Sequence, residues 1–241
     1  MAIIRVDNIS DIKIPETLVN QGSFGEIYPF GDGMYFKKLS SSQGNLSFLD
    51  NEIRLEILTR LMDLKGTENL ILPKDIYVTF NSLIGYTTLI KKAKTIRNIS
   101  LDTPYCEVIK GFDRLKKDIM VLANMHIFDG DIHQNNILFD GRMYLLDFDQ
   151  SIYAEEDELI YARMLYQLFQ ATYLAVFKNG YGSSVLMEKD IEGLIESYKS
   201  YQDTNYNLFF NLLRWKLEYY TGQKVNTVGD VRRGLSLTKK G

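Results

Sequence analysis

Apolar residues along the first ninety positions fall into short runs broken by turn residues, and beyond about residue 100 they recur at helical spacing. Runs 26–30 and 34–39 flank Gly31-Asp32-Gly33, and runs 71–80 and 83–90 flank Asn81-Ser82. Both pairs predict strands joined by turns. Between them, Leu46, Leu49, Ile53, Ile57 and Leu61 mark one face of a helix over 46–64. Further on, Ile109, Phe112, Leu115, Ile119 and Leu122 predict a helix over 106–125, and helical patterns continue over 157–177, 187–201 and 206–221. One β feature interrupts this second part. Ile137–Phe139 and Met143–Leu146 flank Asp140-Gly141, a pair suited to a tight turn with positive φ, so a hairpin is expected there. A β-rich part followed by an α-rich part predicts an α+β architecture in two lobes, 1–90 and 91–241, meeting near 89–97.

Composition narrows the class. The 241 residues are 45% apolar and 24% charged, ordinary for a globular protein with a sizeable core. A net charge of −3 leaves no electrostatic footprint for nucleic acid. The basic runs Lys91, Lys92, Lys94, Arg97 and Arg114, Lys116, Lys117 read as solvated faces. Cys106 has no companion for a disulfide or a metal, fits a reducing compartment, and is expected to be buried or inert. The N-terminal apolar run is too short for a secretory signal. The most apolar stretch, 165–177, is interrupted by Gln167 and Gln170 and is too short to span a bilayer, so it is expected to be a buried core helix. A cytoplasmic protein without membrane insertion is the expectation.

The chemistry gathers between 126 and 149. Asp131 and Asn136 precede the expected hairpin and Asp147 leaves its far end. The hairpin brings three oxygen-bearing side chains to one rim, where a hard divalent cation could be held.

Asp131-Ile132-His133-Gln134-Asn135-Asn136 with Asp147-Phe148-Asp149 resembles the catalytic core of the protein-kinase-like superfamily, which spans small bacterial-type protein kinases and aminoglycoside phosphotransferases. The wording around Gly130-Asp131 is nearer the small-molecule phosphotransferases. The resemblance implies a bilobal kinase-like fold, with a small β-rich N-lobe carrying one helix and a larger helical C-lobe. It implies Asp131 as the catalytic aspartate, Asn136 and Asp147 as magnesium ligands, and Mg-ATP in the cleft between the lobes.

Other positions extend the likeness. Gln21-Gly22-Ser23-Phe24-Gly25 is similar to a glycine-rich phosphate loop, with Asn20 where the first glycine would stand, so Gly22, Ser23 and Gly25 become candidate nucleotide contacts. Lys37-Lys38 resembles the lysine strand, and strand alternation lets only one of the two face the cleft; Lys37 is favoured. Glu52, with Glu56 as the alternative, resembles the helix glutamate that holds this lysine. Asp157 resembles an aspartate that anchors the catalytic loop from the next helix.

Departures accompany the match. Asp129 stands where histidine is usual, Gly130 replaces an arginine, and Asp149 replaces the last glycine of D-F-G. Asp149 would either add a metal-proximal carboxylate or bond the backbone, and His133 would brace the loop. Only residues 150–156 separate Asp149 from Asp157, too few for a peptide platform. The resemblance covers roughly 17–170. It implies a kinase that transfers the γ-phosphate of ATP to a hydroxyl of a small molecule or of a protein. The alternative is a nucleotide-binding pseudokinase serving as an interaction module.

Overall fold

The computed structural model describes residues 2–22, 25–39, 48–80, 82–89, 91–155, 157–178, 183–189, 191–194 and 205–239. The fold is α+β, as the change of periodicity predicts. A mixed six-stranded sheet occupies the first part: β1 (Ala2–Arg5), β2 (Asn20–Gly22), β3 (Gly25–Pro29), β4 (Met34–Leu39), β5 (Pro73–Val78) and β6 (Leu83–Leu89), in the order β1-β5-β6-β4-β3-β2. Every pairing is antiparallel except β1 with β5. Helix α1 (Phe48–Met62) lies between β4 and β5 in sequence and buries Ile57, Leu58, Leu61 and Met62; Ile53, expected on that face, is exposed.

Strand β4 carries the two adjacent lysines and divides them between its faces. Phe36 is fully buried against Ile12, Tyr77 and Ile84, meeting Tyr77 edge-on at 5.2 Å between ring centroids. Period-two alternation therefore turns Lys37 to the opposite face. Glycines flank this strand on both sides. A Cβ on Gly25 would lie 2.4 Å from the Lys38 carbonyl oxygen, and one on Gly85 would lie 2.1 Å from that of Lys37. Neither contact is tolerable, so β3 and β6 approach β4 as closely as they do because both positions lack a side chain.

A second group of elements follows the sheet. β7 (Lys94–Thr95) pairs with β9 (Ile137–Phe139), which pairs with β10 (Met143–Leu145). A single 3₁₀ turn, Ile96–Asn98, leads on towards α2 (Tyr105–Asn124). The β9–β10 hairpin is the one expected, with Gly141 at φ +103° and the Asp140 carboxylate accepting from Arg142 N–H at 3.1 Å. β8 (Ile127–Phe128) pairs with β11 (Ile152–Tyr153), closing residues 129–151 into a ring. Helices α3 (Asp157–Phe177), α4 (Tyr206–Thr221) and α5 (Val228–Leu237) follow.

The core sits between α2, α3 and α4, where Phe112, Phe169, Tyr206, Phe209 and Phe210 pack ring against ring. Buried Leu165, Leu168, Phe169, Ala175, Val176 and Phe177 confirm 165–177 as a core helix. Among the described residues no helix is long and apolar enough to cross a membrane. Of the predicted helix 187–201, residues 187 and 188 form a turn and a bend, 189 and 191–194 are helical, and 190 and 195–201 lie outside the described residues. Cys106, expected to be buried or inert, is exposed, because it falls on the outer face of the first turn of α2.

Candidate functional site

The ring of residues 129–151 carries acids at both ends. Asp129 and Asp131 follow β8, and Asp147 and Asp149 precede β11, so the β8–β11 pairing brings the two acidic segments side by side. Asn136 Nδ2 donates to Asp131 Oδ2 at 2.9 Å and to the Asp131 carbonyl at 3.1 Å. These bonds fix the Asp131 carboxylate and leave the Asn136 amide oxygen free of that work. His133 braces the loop: its Nδ1 accepts from Asn135 and Asn136 N–H, both at 3.3 Å, and its Nε2 lies 3.5 Å from Asp131 Oδ1. Helix α3 holds the loop from below, with Gln167 Nε2 donating to the Gly130 carbonyl at 2.7 Å.

Asp129 is fully buried under this loop. Its Oδ1 accepts the Asp131 N–H at 3.2 Å, and its Oδ2 has no partner among the described residues. Burial pushes its carboxyl up to about 8; the Asp131 N–H opposes that, and the charges of Asp131, Asp147 and Asp149 add to it. At neutral pH Asp129 is therefore an uncharged strut that positions the Asp131 backbone.

Lys37 crosses to this acidic cluster from β4. Its ammonium bonds Asp147 Oδ1 and, at 2.9 Å, Asp149 Oδ1. Tyr86 on β6, paired with Lys37 across the sheet, donates its hydroxyl to Asp147 at 3.3 Å. Lys38 turns away and pairs with Glu26 at 3.1 Å, so alternation selects Lys37 as expected. Asp147 has φ +78°, a left-handed backbone rare for a residue with a side chain. This reversal sends Phe148 into the core at 1% exposure and returns Asp149 to the lysine. Burial, the hydrogen bond with Asp147 and that residue's charge push Asp149 up to about 7. Burial opposes ionisation of Asp147 too, but its bond with Asp149 and the Lys37 ammonium outweigh it and hold its carboxyl below the usual range.

Two adjoining cavities open beside Lys37. One, of 240 Å³, is largely apolar, lined by Val19, Ile27, Tyr35, Ile71, Leu138 and Leu146 among others. The second, of 730 Å³, is polar and holds Asn20, Lys37, Arg97, Asp131, Asn136 and Asp147. Lys37 and Asp147 line both. The oxygens of Asp147 and Asn136 suit a hard cation, with Asp131 beside them. Among the described residues no three His, Cys, Asp or Glu side chains form a cage of their own. An ion here would have to complete its shell with water and a ligand's oxygens, which is the usual situation of magnesium on phosphates.

The structure thus brings together Lys37, Asp131, Asn136 and Asp147, four residues predicted to act together. Gly22 and Gly25 face one another across the β2–β3 hairpin, and Gly25 lines the polar cavity. Ser23 lies outside the described residues. Asn20, at the first glycine position, is a strand residue that lines both cavities.

Glu52 is the correction. It is exposed on α1, and Lys37 is bonded to Asp147 and Asp149 instead. Glu56 takes Arg60 at 2.8 Å and the Tyr153 hydroxyl at 3.2 Å. Both helix acids are exposed, whereas Asp149 is buried beside the lysine. Asp157 opens α3, and the bond expected from its side chain lies outside the described residues. Sequence reasoning misses Asp149 as the lysine's partner and Gln167 as the loop's support, since a glutamine in an apolar run reads only as a break. No local signal announces Asp149 as that partner, because the backbone reverses at Asp147 instead of running extended.

No protein-family model matches the chain, and comparison with curated proteins gives no match.

Proposed function

We propose that this chain is a Mg-ATP-dependent phosphotransferase of protein-kinase-like, bilobal build, with residues 1–90 and 91–241 forming its lobes and nucleotide binding between them. The observation that carries the reading is the convergence of Lys37, Asp131, Asn136 and Asp147 on one polar cavity that continues into an apolar slot. The slot suits a purine base, and the polar cavity suits a triphosphate with its metal.

In this reading Lys37 binds the α and β phosphates as a compact positive charge, and Gly22 and Gly25 let the backbone of the β2–β3 hairpin approach them. Asp147 and Asn136 would supply the protein oxygens to Mg²⁺, whose charge would offset that of the phosphates. Asp131, fixed by Asn136, orients the acceptor hydroxyl. The acceptor oxygen forms a bond to the γ phosphorus, the bond from that phosphorus to the β–γ bridging oxygen breaks, and ADP leaves. The hydroxyl proton passes to Asp131. Positioning and charge neutralisation supply most of the rate.

The described lining of the polar cavity favours a neutral or anionic acceptor. Its acids are Asp131 and Asp147, both committed, and Arg97 and His133 stand beside them. A polycationic acceptor would find no further carboxylate among those described residues. A single cysteine and dependence on ATP fit a cytoplasmic setting.

The test offers γ-labelled ATP, magnesium and the protein to a cell extract, then separates proteins from metabolites. Label in one fraction, lost with Asp131→Ala while Mg-ATP binding persists, supports the reading and names the acceptor class. Absence of Mg-ATP binding by the wild type sinks it. Binding with no transfer into either fraction would make the chain a nucleotide-binding module.

A further inference from the structure

We propose that Asp149 is the positioning residue that holds Lys37 on the nucleotide's phosphates, a part that neither Glu52 nor Glu56 of α1 plays. The proposal rests on the reading of the site as a Mg-ATP cleft. Its basis is geometric. Lys37 has two carboxylate partners of unlike situation: Asp147 lines both cavities and is part of the metal-binding rim, whereas Asp149 is 1% exposed and lines neither. A metal ion arriving at Asp147 competes directly with the ammonium there. It leaves the 2.9 Å bond to Asp149 untouched, because that carboxylate lies outside the cavities.

Counting donors gives the consequence. An ammonium has three N–H groups, and Asp149 occupies one. Once Asp147 turns to the metal, two remain for phosphate oxygens. The lysine is then held at its back and free at its front. A long side chain tethered in this way loses little further rotamer freedom on binding, which is the same service a helix glutamate would give. Asp149 reaches it from the segment that also carries Asp147. The lysine's anchor and the metal ligand are thus two residues apart on one loop, and they move together rather than with α1.

A buried ion pair of merely structural value would also satisfy the geometry, so the test separates ligand groups. Affinities for Mg-ATP and for adenosine are measured by calorimetry on wild type, Asp149→Asn, Lys37→Met and the double variant. Asparagine matches aspartate in shape, and thermal melting checks that each variant folds. Asp149→Asn keeps an acceptor for the ammonium but removes the countercharge, so it should weaken Mg-ATP roughly tenfold, the difference between a hydrogen bond made by two charged groups and one to a neutral acceptor, and leave adenosine binding unchanged. In the Lys37→Met background it should add nothing, since Asp149 acts through the lysine. Equal loss of both ligands, undiminished Mg-ATP affinity, or full additivity with Lys37→Met would each overturn the proposal while leaving the Mg-ATP reading intact. Wild-type protein that binds no Mg-ATP would overturn both. A structure of the wild-type protein with magnesium and a non-hydrolysable ATP analogue gives an answer independent of any variant. Lys37 is expected on Asp149, and Lys37 on Glu52 would refute the proposal.

Discussion

Replacing Asp129 by asparagine removes a single buried proton-binding site and keeps its shape. The wild-type carboxyl sits at about 8 in the folded protein against 3.8 for an ordinary aspartate. Between those values the unfolded chain has released the proton while the folded chain still holds it. Unfolding then becomes easier as pH rises, by about 1.4 kcal/mol per pH unit. The stability from this group is fully present below 3.8, and it is lost progressively until the folded carboxyl ionises near 8. From pH 5 to 7 the loss is about 3 kcal/mol, or roughly 6–12 °C in melting temperature for a chain of this size. The substituted amide would keep the acceptor for the Asp131 N–H and has no proton to lose. Urea denaturation at pH 5, 6, 7 and 8 on both proteins is the assay. Asp149, also raised, slopes both curves in the same direction, so the difference between them isolates Asp129. The gap in stability should widen in favour of Asp129→Asn across this window and stop widening above pH 8. Parallel curves would show that Asp129 is ionised in the native protein and that its role as a neutral strut is wrong.

Two further outcomes come from the sheet and from α1. Gly85→Ala places a Cβ 2.1 Å from the Lys37 carbonyl oxygen, so β6 must retreat from β4; a destabilisation of about 1–3 kcal/mol is expected in urea melts, the ordinary cost of overpacking, together with weaker Mg-ATP binding. An unchanged melt would show that the strands have more slack than the close approach implies. Glu52→Gln should change Mg-ATP affinity by no more than about twofold, as for exposed substitutions elsewhere, because Glu52 is exposed and Lys37 is bonded to other acids. A tenfold loss in calorimetry would restore Glu52 to the site.

How far the sequence alone reaches depends on how local each signal is. The β9–β10 hairpin is legible because Asp140-Gly141 dictates its own turn, and Lys37 is distinguished from Lys38 because a strand alternates. The α+β order emerges from the change of periodicity. Strand β1 is not legible, since four residues acquire their identity only by pairing with β5 some seventy positions away. Helix α5 carries a capping box, Thr227 with Asp230, but too few apolar residues come after it for the helical pattern to stand out. Glu52 is misplaced for a different reason. Helical spacing says which residues share a face, but the side of the lysine that face meets depends on where the whole helix docks. Asp149 wins that contest through the backbone reversal at Asp147, which nothing in the local sequence announces.

The pairing of β8 with β11 has a consequence for assembly. It closes a ring of residues 129–151 that contains Asp129, Asp131, Asp147 and Asp149, so the negative half of the site is gathered by contacts near in sequence. Its positive counterpart arrives from 110 residues away. The cost of chain closure grows only logarithmically with length, so bringing Lys37 that far costs about 1.4 kcal/mol more than closing the ring itself. That is less than a bond between charged groups commonly returns. The ring can therefore gather like charges, at the expense of mutual repulsion, because a partner from a distant segment of the chain relieves it. In this protein two distant segments of the chain are joined in charge at the cavities that Lys37 and Asp147 both line.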